Sequence, residues 1–169
     1  ACAPLNPDYR HQEFEYLLKD LAPACILLPT GEDTPVRRAA SGLGIDIVEV
    51  EAVPEEPAGV FRLTGRGGVA PADAGPARDP DVALVLHTSG TTSRPKMVPL
   101  THANLCASAE NVRAALALSP ADRCLNVMPL FHIHGLVASV LASLAAGGTV
   151  ICTPGFMAPR FFGWMIDTR

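Results

Sequence analysis

The segment His87-Thr-Ser-Gly-Thr-Thr-Ser-Arg-Pro-Lys-Met-Val-Pro-Leu-Thr-His102 directly follows Val82-Ala-Leu-Val-Leu86. The five residues before it are an uninterrupted apolar run and read as a buried strand. The segment itself has no apolar face at its start. From Thr88 to Pro95 every residue except Arg94 is a small hydroxyl residue, glycine or proline, and Lys96 follows. A polar, glycine-containing loop at the end of a core strand is where α/β proteins hold phosphate. Its backbone N–H groups and hydroxyls donate to anionic oxygens, and a lysine adds a full positive charge.

Outward from this loop, helices and strands alternate. Upstream, residues 11–20 place Phe14, Leu17, Leu18 and then Leu21 at helical spacing, and Pro23 ends the run. Ala24-Cys-Ile-Leu-Leu28 is a short apolar strand closed by Pro29. Thr34 is placed to cap a helix that has Pro35 at its first position and runs to about Leu43. Residues 45–50 alternate apolar and acidic side chains, as a half-exposed strand does, and Glu49, Glu51, Glu55 and Glu56 read as a solvated acidic stretch. Residues 54–80 hold five prolines and five glycines, with only Gly59-Val-Phe-Arg-Leu-Thr64 resembling a strand, so they read as a surface connection.

Downstream, Thr101 caps a helix whose stripe is Leu105, Ala109, Val112 and Leu116, ended by Ser119-Pro120. Residues 123–128 predict a strand and Pro129-Leu-Phe-His-Ile-His-Gly135 a turn. Residues 136–146 are apolar on all sides, which predicts a helix packed between layers. Gly147-Gly148 stops it, and Thr149-Val-Ile-Cys152 returns as a strand. The expected fold class is α/β, a mostly parallel sheet with helices on both faces. The tail, Phe161-Phe-Gly-Trp-Met-Ile-Asp-Thr-Arg169, has an amphipathic helical pattern without a glycine or proline stop, which suggests a piece of a longer chain.

Composition excludes several classes of function. The net charge of −4 and the lack of a basic cluster beyond Arg37-Arg38 argue against nucleic acid as a partner, because neutralising a phosphate backbone needs a basic face. Aromatic residues make up only 5%, too few for a base-stacking platform. Cys2, Cys25, Cys106, Cys124 and Cys152 are odd in number and widely spaced, a pattern of reduced thiols rather than of a disulfide framework or a zinc site. No apolar run approaches the roughly 20 residues that span a bilayer. The expectation is a protein of the cytoplasm, or of the peroxisome in a eukaryote, with no membrane span.

The loop fails as a Walker phosphate loop. Gly90 and Lys96 have the spacing of G-x-x-x-x-G-K-[ST], but Pro95 replaces the second glycine and Met97 the metal-binding hydroxyl. Proline offers no N–H, and methionine has no hydroxyl for magnesium.

Another family fits. Thr88-Ser-Gly-Thr-Thr-Ser-Arg-Pro-Lys96 resembles the phosphate-binding signature of the adenylate-forming (AMP-binding) superfamily, which holds acyl- and aryl-CoA synthetases, luciferases and peptide-synthetase adenylation domains. Pro129-Leu-Phe-His-Ile-His-Gly135 resembles the next motif of that superfamily, at the expected distance. Pro4-Leu-Asn-Pro-Asp-Tyr9 with Glu13-Phe-Glu-Tyr16 looks like the segment these enzymes carry upstream. The likeness is strongest over residues 82–155 and loose over 54–80. The Thr-Thr-Ser-Arg-Pro-Lys variant with Val98-Pro-Leu-Thr101 looks like the oxalate–CoA ligase, or peroxisomal-type CoA synthetase, branch. Ser93 and Met97 stand where most family members have glycine.

The resemblance implies an acid–CoA ligase. A carboxylate attacks the α-phosphate of ATP to give an acyl adenylate and pyrophosphate, and the thiol of coenzyme A then displaces AMP. It implies that Thr88, Ser89, Gly90, Thr91, Thr92 and Ser93 wrap the β- and γ-phosphates, with Lys96 adding charge nearby, and that ATP, Mg2+ and coenzyme A are used. The branch it resembles implies a small carboxylic acid such as oxalate as the acyl partner. His132 aligns with the histidine at the acyl-site entrance of CoA ligases, which lies near the reacting carboxylate, and is the expected catalytic residue. His134 is read evenly as a packed or capping histidine or as a functional one. An H-x-H pair without a third ligand at short spacing gives no metal site. His87, His102 and Asp122 are read as structural.

By the same resemblance, residues 1–169 form part of a large N-terminal AMP-binding domain. It comprises a helix/strand segment (1–53), the Pro/Gly-rich connection (54–80) and the phosphate-loop α/β segment (81–169), with the C-terminal domain absent. Such a piece alone is expected not to form an acyl adenylate. Rival readings are an aryl- or fatty-acyl-CoA synthetase, an adenylation domain serving a carrier protein, a non-catalytic nucleotide-binding module, and an assembly unit with an inert loop.

Overall fold

The computed structural model describes residues 1–57, 59–65, 75–88 and 95–168, and these divide into two units, Asn6–Gly75 and Ala1–Leu5 with Pro76–Arg169. In the first unit, Phe14, Leu17 and Leu18 lie on one side of helix α1 (His11–Leu21) and are buried, as their three- and four-residue spacing requires. Glu13 reaches back to accept the Arg10 N–H at 2.8 Å, satisfying a donor at the helix start. Strand β1 (Cys25–Pro29) leads to helix α2 (Pro35–Gly42), where the Thr34 hydroxyl accepts the Arg37 N–H at 3.3 Å. Helix α2 packs on α1 through Val36, Ala39 and Ala40 and returns the chain to β2 (Asp46–Ala52), parallel to β1.

Strand β3 (Phe61–Gly65) completes this sheet on the other side of β2, antiparallel to it. Gly65 is indispensable there. Its φ is +115°, and a Cβ would sit 2.7 Å from the Ile47 carbonyl oxygen. Glu49 departs from the expected solvated acidic stretch. It accepts from the Arg37 guanidinium at 2.7 Å, and both side chains are half-buried. The same guanidinium donates to the Glu32 and Pro29 carbonyls, so the ends of β1 and α2 are tied to β2.

In the second unit, strand β4 (Val82–Thr88) buries Leu84 and Leu86 and pairs with β5 (Lys96–Thr101) in an antiparallel ladder. Cys2 bridges the other side of β4, with its N–H 2.9 Å from the Ala83 carbonyl. Helix α3 (His102–Ala115) follows without a break, and Thr101 and Asn104 cap it reciprocally. The chain then forms β6 (Arg123–Asn126), a π-helical stretch (His134–Leu141) running into α4 (Ala142–Ala145), β7 (Thr149–Cys152) parallel to β6, and α5 (Ala158–Asp167).

The α/β class holds, with ladders of mixed sense. β1–β2 and β6–β7 are parallel, each joined through a helix, while β2–β3 and β4–β5 are antiparallel. Connection length decides this. A parallel crossover needs a dozen or more residues, and the links 53–60 and 89–95 are shorter. Two other expectations shift. Leu116 leaves the apolar stripe of α3 and is exposed, because the helix stops at Ala115 and Ala117 takes a left-handed φ of 52°. The second helix starts early, at His134, because the Leu136 N–H bonds the His132 carbonyl at 3.1 Å and draws the end of the expected turn into helical bonding. Among the described residues, no helix is long and apolar enough to cross a membrane.

Candidate functional site

Thr88 and Lys96, the outer residues of the phosphate-loop signature, are brought together as the last pair of the β4–β5 ladder. The Thr88 hydroxyl lies 3.5 Å from the Lys96 carbonyl oxygen, and both side chains are exposed. One step inward, Met97 stands opposite His87. Met97 is 44% exposed, an ordinary strand residue at the surface. The ladder is anchored by the buried Leu84 and Leu86, and the ends of the connection are therefore fixed by sheet hydrogen bonds. Ser89, Gly90, Thr91, Thr92 and Ser93 lie outside the described residues.

The second motif sits at the carboxyl end of β6. Parallel strands present their connecting turns at that end, where ligands of open α/β sheets bind. Asn126, the last residue of β6, is 6% exposed. Its Oδ1 accepts the Met128 N–H at 3.3 Å, and its carbonyl accepts both the N–H of Thr153 (3.4 Å) and its hydroxyl (3.0 Å). The carboxyl ends of β6 and β7 are thus joined directly below the turn.

His132 is exposed on this turn, its ring centroid 4.8 Å from that of Phe131, and its N–H donates to the Pro129 carbonyl at 3.2 Å. Gly135 is buried behind it. A Cβ there would meet the Pro129 carbonyl oxygen at 2.5 Å and the Met128 carbonyl oxygen at 2.9 Å. His134, two residues from His132, opens the π-helical stretch and faces a different space. It lines a cleft of about 550 Å³ with Cys124, Ala138, Ser139 and the end of α3, and His132 does not line it. Among the described residues, no three His, Cys, Asp or Glu side chains converge as a metal site.

The turn that leads into β6 is held by charge. Asp122 Oδ2 accepts from the Ser119 hydroxyl at 2.8 Å and the Ser119 N–H at 2.7 Å. These bonds, the hydroxyl first, hold its carboxyl below the ordinary value of 3.8. A carboxyl lowered in the folded state stabilises the fold above its unfolded value and loses that contribution as the pH falls through the folded one. Asp122→Ala is accordingly expected to lower the unfolding midpoint at neutral pH. The gap from wild type should close on acidification below the usual carboxylate range, and a midpoint series against pH checks it.

The family model described as AMP-binding enzyme matches residues 1–168. The chain belongs to the AMP-binding enzyme family. Its curated relatives include an oxalate–CoA ligase of Saccharomyces cerevisiae, 37% identical over 95% of this chain and 33% of the relative. An oxalate–CoA ligase of Arabidopsis thaliana is 41% identical over 89% of this chain and 29% of the relative. A sulfoacetate–CoA ligase of Cupriavidus necator is 32% identical over 98% of this chain and 32% of the relative. The chain therefore spans about a third of the length of these relatives.

Solved structures of AMP-binding relatives agree with the fold. A malonyl-CoA ligase, in a ternary product complex with methylmalonyl-CoA and AMP, superposes with a TM-score of 0.77 at 31% identity, over 99% of this chain and 32% of the other. ATP-bound MatB from Rhodopseudomonas palustris gives 0.73 at 26% identity, over 97% of this chain and 32% of the other. Sequence reasoning located the two motifs, the second ending at Gly135, and passed over Asn126 at its base. A polar residue inside the otherwise apolar Leu125-Asn-Val127 was the available signal for Asn126.

Proposed function

We propose that the protein carrying this chain is an ATP-dependent acid–CoA ligase acting on a short acid with a second anionic group, oxalate being the leading candidate. The observation that carries this reading is the Thr88–Lys96 signature, its two ends closed by one ladder pair. The relatives named above support the acid class: oxalate, malonate and sulfoacetate are all small acids bearing two acidic groups. We place the chain in the large N-terminal nucleotide-binding domain of such an enzyme, in keeping with its share of those relatives.

In the first half-reaction a carboxylate oxygen bonds to the α-phosphorus of ATP and the bond to pyrophosphate breaks. The leaving pyrophosphate gains charge, so donors fixed on its oxygens lower the barrier. The proposal gives that role to Thr88, Ser89, Gly90, Thr91, Thr92 and Ser93, with Lys96 supplying a positive charge at the end of the ladder. In the second half-reaction the sulfur of coenzyme A bonds to the acyl carbon and AMP leaves. His132, exposed on the turn beyond β6, is assigned to the carboxylate. Its imidazole offers a hydrogen bond or, when protonated, a charge to a dianionic acid. No described residue is assigned to Mg2+, which binds phosphate oxygens and water readily and enters with the nucleotide in this reading.

Thioester formation by the intact protein, measured over a panel of acids, tests the proposal. Oxalate, malonate and sulfoacetate should be turned over in preference to fatty, aryl and simple short acids. A preference for fatty or aryl acids, or transfer only to a carrier protein, would place the protein elsewhere in the family.

A further inference from the structure

We infer that Asn126 is a positioning residue for His132, acting through the turn that the Asn126 side chain and the Gly135 backbone hold from its two sides. The inference rests on the reading of His132 given above. Asn126 is buried at 6% exposure in the middle of the otherwise apolar Leu125-Asn-Val127. Its Oδ1 accepts the N–H of Met128, where the chain leaves the strand. An Asx bond of this kind fixes the direction in which a backbone departs.

The rest of the turn follows by short range. Met128 and Pro129 direct their carbonyl oxygens at Gly135 so closely that no Cβ fits there. The Pro129 carbonyl also accepts the His132 N–H, and the His132 carbonyl accepts the Leu136 N–H. Asn126, Met128, Pro129, Gly135 and His132 thus form one continuous chain of contacts, with His132 at its exposed end. Thr153 ties down the base by donating its hydroxyl and its N–H to the Asn126 backbone carbonyl. The His132 ring lies against the neighbouring Phe131 ring, and its placement follows from the backbone beneath it.

A double-mutant cycle in the intact protein tests the inference, with acid-dependent ATP–pyrophosphate exchange as the readout. Asn126→Ala is expected to lower the turnover by about tenfold, since a misplacement of about 1 Å costs up to about a hundredfold. Asn126→Ser, which keeps an oxygen acceptor for the Met128 N–H, should recover most of the loss. In a His132→Ala background, Asn126→Ala should cost less than about twofold, because the residue it positions is gone. Thr153→Val removes the hydroxyl donor with little change of shape and runs through the same cycle, so that a folding failure of Asn126→Ala does not end the test. Equal losses in both backgrounds, or no rescue by serine, would overturn the positioning role while leaving that of His132 intact. Should His132→Ala alone leave exchange unchanged, the assignment of His132 falls, and the positioning role with it.

Discussion

Replacing Thr91 and Thr92 together by alanine in the intact protein is expected to lower acid-dependent ATP–pyrophosphate exchange by about 10²- to 10⁴-fold. Two hydroxyls that donate to a phosphate lose about 1.5–3 kcal/mol each when removed, and each 1.36 kcal/mol is a factor of about ten in rate. The loss should fall on turnover more than on the KM for ATP, because charge builds on the pyrophosphate oxygens only as the bond to the α-phosphorus breaks. The thermal midpoint should hold, since the β4–β5 ladder is built from backbone bonds and the buried Leu84 and Leu86, which the substitutions leave alone. Unchanged exchange in the double variant would reduce the segment to a surface connection between two strands.

His132→Ala is expected to slow adenylation by about a hundredfold, the lower end of what one hydrogen-bond donor to a reacting oxygen contributes. The substitution keeps the His132 N–H bond to the Pro129 carbonyl and the Leu136 bond to the His132 carbonyl, so the turn retains its backbone course. The side chain is exposed beside the Phe131 ring, so the unfolding midpoint should move little. Single-turnover measurement separates adenylation from thioester formation. An unchanged first step would remove His132 from the carboxylate.

Much of this fold was legible because local signals agreed with tertiary ones. Thr34 before Pro35, Thr101 before an amphipathic run, and Phe14, Leu17 and Leu18 at helical spacing each name an element on their own, and each element is there. The sense of strand pairing was less legible, because alternating helices and strands suggest crossovers everywhere. The links that are too short to cross over, 53–60 and 89–95, are what make two of the ladders antiparallel. The π-helical start at His134 was hidden for a different reason. It depends on hydrogen bonds four and more residues apart through a turn, which periodicity does not encode.

The candidate site was legible where chemistry is written in side chains and illegible where it is written in backbone contacts. Thr88 and Lys96 are readable as ends of a polar loop, and His132 only through the resemblance of Pro129–Gly135 to a family motif. Asn126 and Gly135 matter through what lies against them, a Met128 N–H and two carbonyl oxygens, and those neighbours appear only once β6 and the following helix are packed. Glu49 shows the same limit. It reads as one of a run of solvated acids, and packing of α2 over β2 gives it Arg37.

The central claim, that the Thr88–Lys96 segment serves acid activation through an adenylate, is tested most directly by identifying the products of ATP turnover by the intact protein with oxalate, coenzyme A being omitted. Acid-dependent exchange of labelled pyrophosphate into ATP, with AMP rather than ADP released once coenzyme A is added, is the expected result. Release of ADP and phosphate, or no acid-dependent exchange with any acid of the panel, would contradict it.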